Sequence, residues 1–171
     1  MQNIILTGFM GTGKTKVGFI LAKRLKTVFL DLDSLIEETE GKTIPEIFSE
    51  KGEEYFRQAE TETIIKALRE EGKVISTGGG ALIKEENRKL LMEGGILIRL
   101  SASPEEIYKR VGTREGRPLL KGDDPLKVIR ELLAKRRRFY EEVPFTILTD
   151  GRSPDEVADE IISLLIEKKI I

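Results

Sequence analysis

The stretch that decides the fold is GFMGTGKT, residues Gly8 to Thr15. It follows one short apolar run, Asn3 to Thr7, and precedes a segment whose apolar residues recur at helical spacing. The letters match G-x-x-x-x-G-K-[ST], in the strand, loop and helix context that this pattern requires. Such a loop curls its backbone N–H groups around a phosphate, beside the positive end of the helix. A plain glycine-rich turn is the alternative, but the context favours a phosphate-binding loop (P-loop).

Two side chains of this loop suit the chemistry of a nucleotide. Lys14 is placed to reach the β- and γ-phosphate oxygens, and the hydroxyl of Thr15 is placed to ligate magnesium. The loop therefore predicts a site for a nucleoside triphosphate with magnesium.

Length and composition bound the remaining possibilities. With 171 residues the chain is close to the size of one domain, so we expect a single domain over residues 1–171. Basic residues number 29 and acidic residues 30, so no overall charge attracts nucleic acid or a membrane. Cys and His are both absent, which excludes disulfides, cysteine nucleophiles, imidazole bases and the common zinc sites. No apolar run has the length of a membrane span or a signal-like flank, so a cytoplasmic location is expected.

Short apolar runs alternate with longer segments at helical spacing, which predicts a parallel sheet with crossover helices. The five predicted strands are Ile4–Leu6, Val28–Leu30, Val74–Ser76, Ile96–Leu100 and Phe145–Leu148. Ser-Pro pairs at Ser103 and Ser153 predict two helix starts. The stretch GTREGRPLLKGDDP, residues 112–125, has turn residues and basic side chains but no period, which is typical of a mobile loop.

The second predicted strand ends in LDLD, which places Asp31 and Asp33 at the carboxyl end of a strand, where open α/β sheets bind ligands. Two residues apart on an extended chain, the two carboxylates are expected to face the same way. One would serve a metal through water and the other would meet an acceptor hydroxyl. The alternative for Asp33 is a helix N-cap, for a helix starting at Ser34.

Three further stretches leave alternatives open. FSEKGEEYFRQAE, residues 48–60, predicts a helix from about Glu53, and spacing alone favours an ordinary i,i+4 pair between Glu53 and Arg57. STGGGA, residues 76–81, would let backbone approach a ligand closely, or is only a flexible turn.

KRRRF, residues 135–139, suggests a nucleic-acid patch. However, it straddles a helix, so its arginines point in different directions, and no nucleic-acid partner is expected. The helical face concerned comprises Ile129, Leu132, Leu133, Arg136 and Tyr140.

Taken together, these stretches resemble the shikimate kinase family over nearly the whole chain. The resemblance rests on GFMGTGKT, FLDLD, FSEKGEEYFRQAE with its G-E-x-x-F-R core, STGGGA, RPLL and AKRRRFYEEV. It implies ATP-dependent phosphorylation of the 3-hydroxyl of shikimate by a monomer, with Mg²⁺. It also implies a three-layer α/β/α P-loop kinase fold with a five-stranded parallel sheet in the order 2-3-1-4-5. A mobile lid at about 112–124 and an acceptor-binding segment at about 33–60 complete the expectation.

The resemblance also implies roles for single residues. Lys14, Asp33 and Arg117 would be catalytic, with Asp33 orienting or deprotonating the acceptor hydroxyl and Arg117 reaching the transferring phosphoryl from the lid. The other shikimate-binding groups would be Arg57 and Arg136, on the carboxylate, and the backbone of Gly79 and Gly80. Thr15 and Asp31 would serve the metal. The nucleotide-binding residues would be Gly11, Thr12, Gly13, Lys14, Thr15, Lys16, Arg110, Arg117 and Arg152, with Arg110 on the adenine and the turn 150–154 at its edge.

Several alternatives remain at this point. Arg137 or Arg138 would replace Arg136 if the helix shifted by a residue. The nearest rivals in function are small P-loop kinases for gluconate or a nucleoside monophosphate. A nucleotide-gated switch is the rival from another class, although the chain lacks the N-K-x-D segment with which GTPases read guanine.

Overall fold

A computed structural model describes residues 1–111 and 124–171. Its five strands form one parallel sheet in the order β2-β3-β1-β4-β5, which confirms the predicted topology. The strands are β1 (Asn3–Thr7), β2 (Phe29–Asp31), β3 (Val74–Ser76), β4 (Gly95–Ser101) and β5 (Phe145–Leu148). The lid predicted at 112–124 lies outside the described residues, apart from Asp124.

Helices cover both faces of the sheet. They are α1 (Lys14–Leu25), α2 (Leu32–Glu40), α3 (Ile44–Ala67), α4 (Glu85–Glu93), α5 (Pro104–Val111), α6 (Pro125–Glu141) and α7 (Pro154–Glu167). Because side chains alternate along a strand, Ile5 belongs to a core with α3, α4, α5 and α6, whereas Ile4 and Leu6 belong to a second core with α1 and α7. The three-layer α/β/α class is therefore confirmed. Within the described ranges, no helix is long and apolar enough to cross a membrane.

The helix starts follow from local sequence. Ser153 caps α7 with a capping box completed by Glu156, and the hydroxyl of Ser103 accepts from the backbone N of Glu106 at 3.2 Å at the start of α5. Both predicted Ser-Pro starts are confirmed. Helix α3 is broken at Gly52, whose φ of 84° is not helical, so its second half begins at Glu53 as predicted.

The carboxyl ends of the parallel strands meet at one edge of the sheet, where ligands bind in such folds. Ile5 in β1 pairs with Ile75 of β3 and Leu97 of β4, so the P-loop after β1 lies beside the segments that leave these strands.

The expected geometry of the two aspartates after β2 is wrong. Strand β2 ends at Asp31 and the chain turns at once into α2, so Asp33 lies in the first helical turn and not on an extended chain. The helix N-cap is Asp31, whose Oδ1 accepts from the backbone N of Ser34 at 3.2 Å, and not Asp33. The two carboxylates therefore make different contacts. Asp31 lies beside the P-loop, and Asp33 reaches the glycine-rich turn after β3, with its Oδ1 2.6 Å from an ideal Cβ on Gly78.

Candidate active site

The P-loop is held in shape by its glycines and by its own carbonyl groups. Gly8 has a φ of 141°, and a Cβ there would lie 2.2 Å from the carbonyl oxygen of Leu100, so a side chain is excluded. The ammonium of Lys14 donates to the carbonyl oxygens of Gly8 at 2.8 Å and Phe9 at 3.0 Å. The hydroxyl of Thr12 also donates to Phe9, at 2.8 Å. The loop is thus a closed, preformed cradle at the N-terminus of α1.

The hydroxyl of Thr15 donates to Oδ2 of Asp31 at 2.7 Å, which joins the first turn of α1 to the end of β2. These oxygens are the ligand type that Mg²⁺ prefers. In residues 1–111 and 124–171, no group of three or more acidic, His or Cys side chains could hold a metal alone. The pair therefore fits a Mg²⁺ ion that is held jointly by the protein, water and bound phosphates.

The cavity above this loop, called the P-loop cleft here, has a volume of about 550 Å³. Its walls are the P-loop, the start of α2, Arg110 of α5 and the turn from Thr149 to Pro154. It brings together every predicted nucleotide residue in the described part of the chain: Gly11, Thr12, Gly13, Lys14, Thr15, Lys16, Arg110 and Arg152. Arg117 lies outside the described residues. The guanidinium of Arg152 is turned toward α7, where it pairs with Glu160 and donates to the carbonyl oxygen of Glu156 at 3.1 Å.

A second cavity of about 240 Å³, called the arginine cleft here, lies between α2, α3 and the glycine-rich turn after β3. All five predicted acceptor residues line it: Asp33, Arg57, Gly79, Gly80 and Arg136. Sequence reasoning missed the acidic residues Glu37 and Glu60 and an apolar wall formed by Ile44, Pro45, Phe48 and Phe56. Met10, Asp33 and Gly79 line both clefts, so a group bound in one can meet a group bound in the other.

Arg57 is mostly buried, with 14% of its side chain exposed, and its strongest partner is Glu60, whose Oε1 lies 2.9 Å from Nη1. The expected i,i+4 contact with Glu53 also exists, but at 3.5 Å and to a carboxylate that is 65% exposed. The Nε of Arg57 is buried without a hydrogen-bond partner among the described residues. Arg57 therefore keeps one buried donor that the described residues do not use.

Glu60 is 1% exposed, and its Oε2 is also buried without a hydrogen-bond partner in the described chain. Burial raises the pKa of this carboxyl and the nearby charge of Asp33 raises it further, whereas Arg57 opposes both effects. The only sequence signal for Glu60 was its position three residues after Arg57 on the same helix.

Arg136 is 6% exposed and lies at the floor of the arginine cleft. Its Nη1 donates to the carbonyl oxygen of Gly79 at 3.1 Å, and its guanidinium lies 5.3 Å from the centre of the Phe9 ring. Among the described residues Arg136 forms no direct ion pair, although its charge acts to lower the pKa of the Glu60 carboxyl. The two following arginines are exposed on α6, and Arg137 pairs with Glu141. The register of α6 thus turns Arg136 toward the cleft and leaves the two following arginines exposed.

The turn after β3 fits closely against these side chains. A Cβ on Gly80 would lie 2.6 Å from Nη2 of Arg57, so a side chain there would displace the guanidinium from its present position. The Gly79 carbonyl oxygen also accepts from the hydroxyl of Tyr140 at 3.1 Å. Burial raises the pKa of Tyr140, so this hydroxyl stays protonated as a donor.

Comparison with known proteins agrees with this geometry. The family profile for shikimate kinase matches residues 10–166. A shikimate kinase of Geobacter metallireducens is 47% identical over 165 residues, which cover 96% of this chain and 92% of the relative. A shikimate kinase of Caldanaerobacter subterraneus subsp. tengcongensis is 45% identical over 169 residues and 99% of both chains. The solved structure of a shikimate kinase from Acinetobacter baumannii in complex with shikimate superposes with a TM-score of 0.96 at 37% identity, covering 100% of this chain and 96% of that one. With these residues in this arrangement and this similarity over almost its full length, the chain belongs to the shikimate kinase family.

Proposed function

We propose that this protein transfers the γ-phosphoryl group of ATP to the 3-hydroxyl of shikimate, giving shikimate 3-phosphate and ADP. The observation that carries the proposal is Arg136, a buried cation that forms no direct ion pair with the described carboxylates, in a cleft that shares its lining with the P-loop cleft. A buried charge of this kind is costly unless an anion compensates it. A ligand with a carboxylate supplies that anion.

Two guanidinium groups face the carboxylate position. Arg57 offers a buried Nε that no described residue uses, and Arg136 offers the donors that Gly79 does not use. Arginine forks bind carboxylates with two parallel hydrogen bonds, which fixes the orientation of the ligand as well as its charge. The ring hydroxyls would then lie toward the backbone of Gly79 and Gly80 and toward Asp33.

Asp33 is placed for the transfer itself, since it lines both clefts. Its carboxylate would accept a hydrogen bond from the 3-hydroxyl and direct a lone pair of that oxygen at the γ-phosphorus. It would take the proton as the new P–O bond forms and the bond from the γ-phosphorus to the bridging oxygen breaks, which releases ADP. A loose transition state needs little help from a base at its start, so orientation is the larger part of this role.

The P-loop holds the donor. Lys14 and the backbone N–H groups of Gly11 to Gly13 would bind the phosphates, and Thr15 and Asp31 would hold Mg²⁺, Asp31 through water. When bound, Mg²⁺ neutralises charge on the phosphate oxygens. Arg117, outside the described residues, is proposed from the family resemblance alone to reach the transferring group, where arginines in related chemistry contribute about 10³- to 10⁵-fold in rate.

We further propose that one chain forms the complete site, as a single catalytic domain and a monomer. The monomer is proposed from the family resemblance, and the single domain is supported by the elements that line both clefts, which belong to one α/β/α fold.

The test is release of ADP from Mg-ATP with shikimate, gluconate or AMP as the acceptor. Strong stimulation by shikimate alone supports the proposal. Stimulation by gluconate or AMP instead would contradict it, and equal release with every acceptor and with none would indicate a nucleotide-gated switch.

A further inference from the structure

The side chain of Arg110 donates four hydrogen bonds to other residues of the protein. Its Nε donates to Oε1 of Glu106 at 3.0 Å and its Nη2 to the carbonyl oxygen of Thr149 at 2.9 Å. Its Nη1 donates to the carbonyl oxygen of Gly11 at 3.1 Å and to the hydroxyl of Thr149 at 3.0 Å. An arginine has five N–H donors, so four are engaged by the protein.

These partners come from three separate walls of the P-loop cleft. Glu106 is on α5, Gly11 is in the P-loop and Thr149 begins the turn that follows β5. Arg110 therefore ties the phosphate end of the cleft to the opposite wall.

Two of these partners are side chains, those of Thr149 and Glu106. The hydroxyl of Thr149, a residue only 2% exposed, lies 3.3 Å from the carbonyl oxygen of Ser101, to which it donates. Its lone pair is therefore left for Arg110. Glu106 is 22% exposed and forms its ion pair with Arg110 within one helical turn. A charged hydrogen bond in a partly buried site is stronger than a neutral one.

We propose that Glu106 and Thr149 are positioning residues that set nucleotide affinity by locking Arg110 as a bridge across the cleft. The inference rests on the proposed function, which places the nucleotide there. With four donors engaged by described residues, Arg110 presents the flat face of its guanidinium, so it acts as a wall and not as a fork for phosphates. Because Arg110 is already fixed, less side-chain entropy is lost when the nucleotide binds. Variants that free Arg110 should therefore raise the dissociation constant for the nucleotide.

The experiment measures ADP and shikimate binding by titration calorimetry, together with thermal unfolding. The variants are Glu106→Gln, which keeps the shape and removes the charge, and Thr149→Val, which removes the hydroxyl at equal volume. Thr149→Ser restores the hydroxyl. Glu105→Gln is the matched control, because Glu105 is the neighbouring carboxylate on α5 but is exposed and pairs with Arg130 outside the cleft.

We expect the dissociation constant for ADP to rise about three- to tenfold in Glu106→Gln and about tenfold in Thr149→Val. It should stay within about twofold of the unmodified protein in Thr149→Ser and Glu105→Gln, and shikimate binding should be unchanged in all four variants. If Glu106 and Thr149 only stabilised the fold, their variants would weaken the binding of both ADP and shikimate and would lower the unfolding temperature.

Unchanged ADP binding in both Glu106→Gln and Thr149→Val overturns the inference. If Thr149→Val does not fold, Glu106→Gln decides alone, since its side chain is partly exposed and the change is isosteric. Failure of the unmodified protein to bind ADP would instead overturn the proposed function, so the two failures are distinguishable.

Discussion

Replacing Arg136 with methionine should separate shikimate binding from folding. The substitution keeps a long flexible side chain on α6 but removes the cation at the floor of the arginine cleft. The folded protein loses one hydrogen bond, from Nη1 to the carbonyl oxygen of Gly79, and that oxygen keeps its second donor, the hydroxyl of Tyr140 at 3.1 Å. The thioether can pack against the ring of Phe9 in place of the guanidinium.

We expect a small effect of this substitution on stability and a large effect on shikimate binding. Loss of one hydrogen bond from a charged donor costs about 1.5–3 kcal/mol, and removal of a desolvated charge offsets part of it, so the unfolding temperature should shift by less than about 4 °C. Removing one partner of a buried charge pair costs about 2–5 kcal/mol in binding. Because Arg57 remains, we expect the lower half of that range, which is about 100-fold weaker shikimate binding.

The assay is titration calorimetry with shikimate, with a thermal melt of each variant. Arg137→Met is the matched control: it is the next residue on the same helix, but its side chain is 79% exposed and pairs with Glu141. Its shikimate affinity should stay within about twofold of the unmodified protein. Equal affinity in Arg136→Met and Arg137→Met would refute the assignment of the carboxylate to Arg136.

Three further predictions concern the centre of the site. Asp33→Ala should abolish transfer while the dissociation constant for ATP stays nearly unchanged, and a parallel loss of ATP affinity would count against its role at the acceptor hydroxyl. Burial raises the pKa of Glu60 above its ordinary value of 4.5, so its contribution to stability is complete below that value and is lost as the pH rises through the raised pKa. Urea unfolding of Glu60→Gln from about pH 4 to pH 8 should lack that decline, and parallel curves for the two proteins would show that Glu60 does not cause it. Arg117→Ala should lower turnover at saturating substrates by at least about 100-fold, with shikimate still bound, and unchanged turnover would remove it from the catalytic residues.

The parts of the fold that depend on local signals could be predicted from the sequence. The P-loop, the five strands and the Ser-Pro helix starts each follow from residues that are adjacent in the chain. The position of Arg136 was also predictable, because its helical face carries Ile129 and Tyr140, both of which are buried in the structure.

The relation between Asp31 and Asp33 could not be predicted, because it depends on where a three-residue strand ends. If β2 stayed extended through Asp33, the two carboxylates would face the same side of the strand. In the structure the chain turns into α2 directly after Asp31, so Asp33 lies on a helix instead. Propensity and spacing do not fix an element boundary that closely.

The partner of Arg57 needed the tertiary structure. Glu53 and Glu60 are both within one helical turn of Arg57 and are equivalent by spacing. Packing of α3 after its break at Gly52 turns Glu60 into the cleft and leaves Glu53 in solvent. The apolar wall of the arginine cleft likewise depends on how the first half of α3 lies over α2.

The most direct test of the account follows the phosphorus atom. The protein is mixed with ATP labelled in the γ-phosphoryl group, Mg²⁺ and shikimate, and the labelled products are separated and identified by NMR. We expect the label to appear on the 3-oxygen of shikimate. Label found only as inorganic phosphate, or on another hydroxyl of the ring, would contradict it.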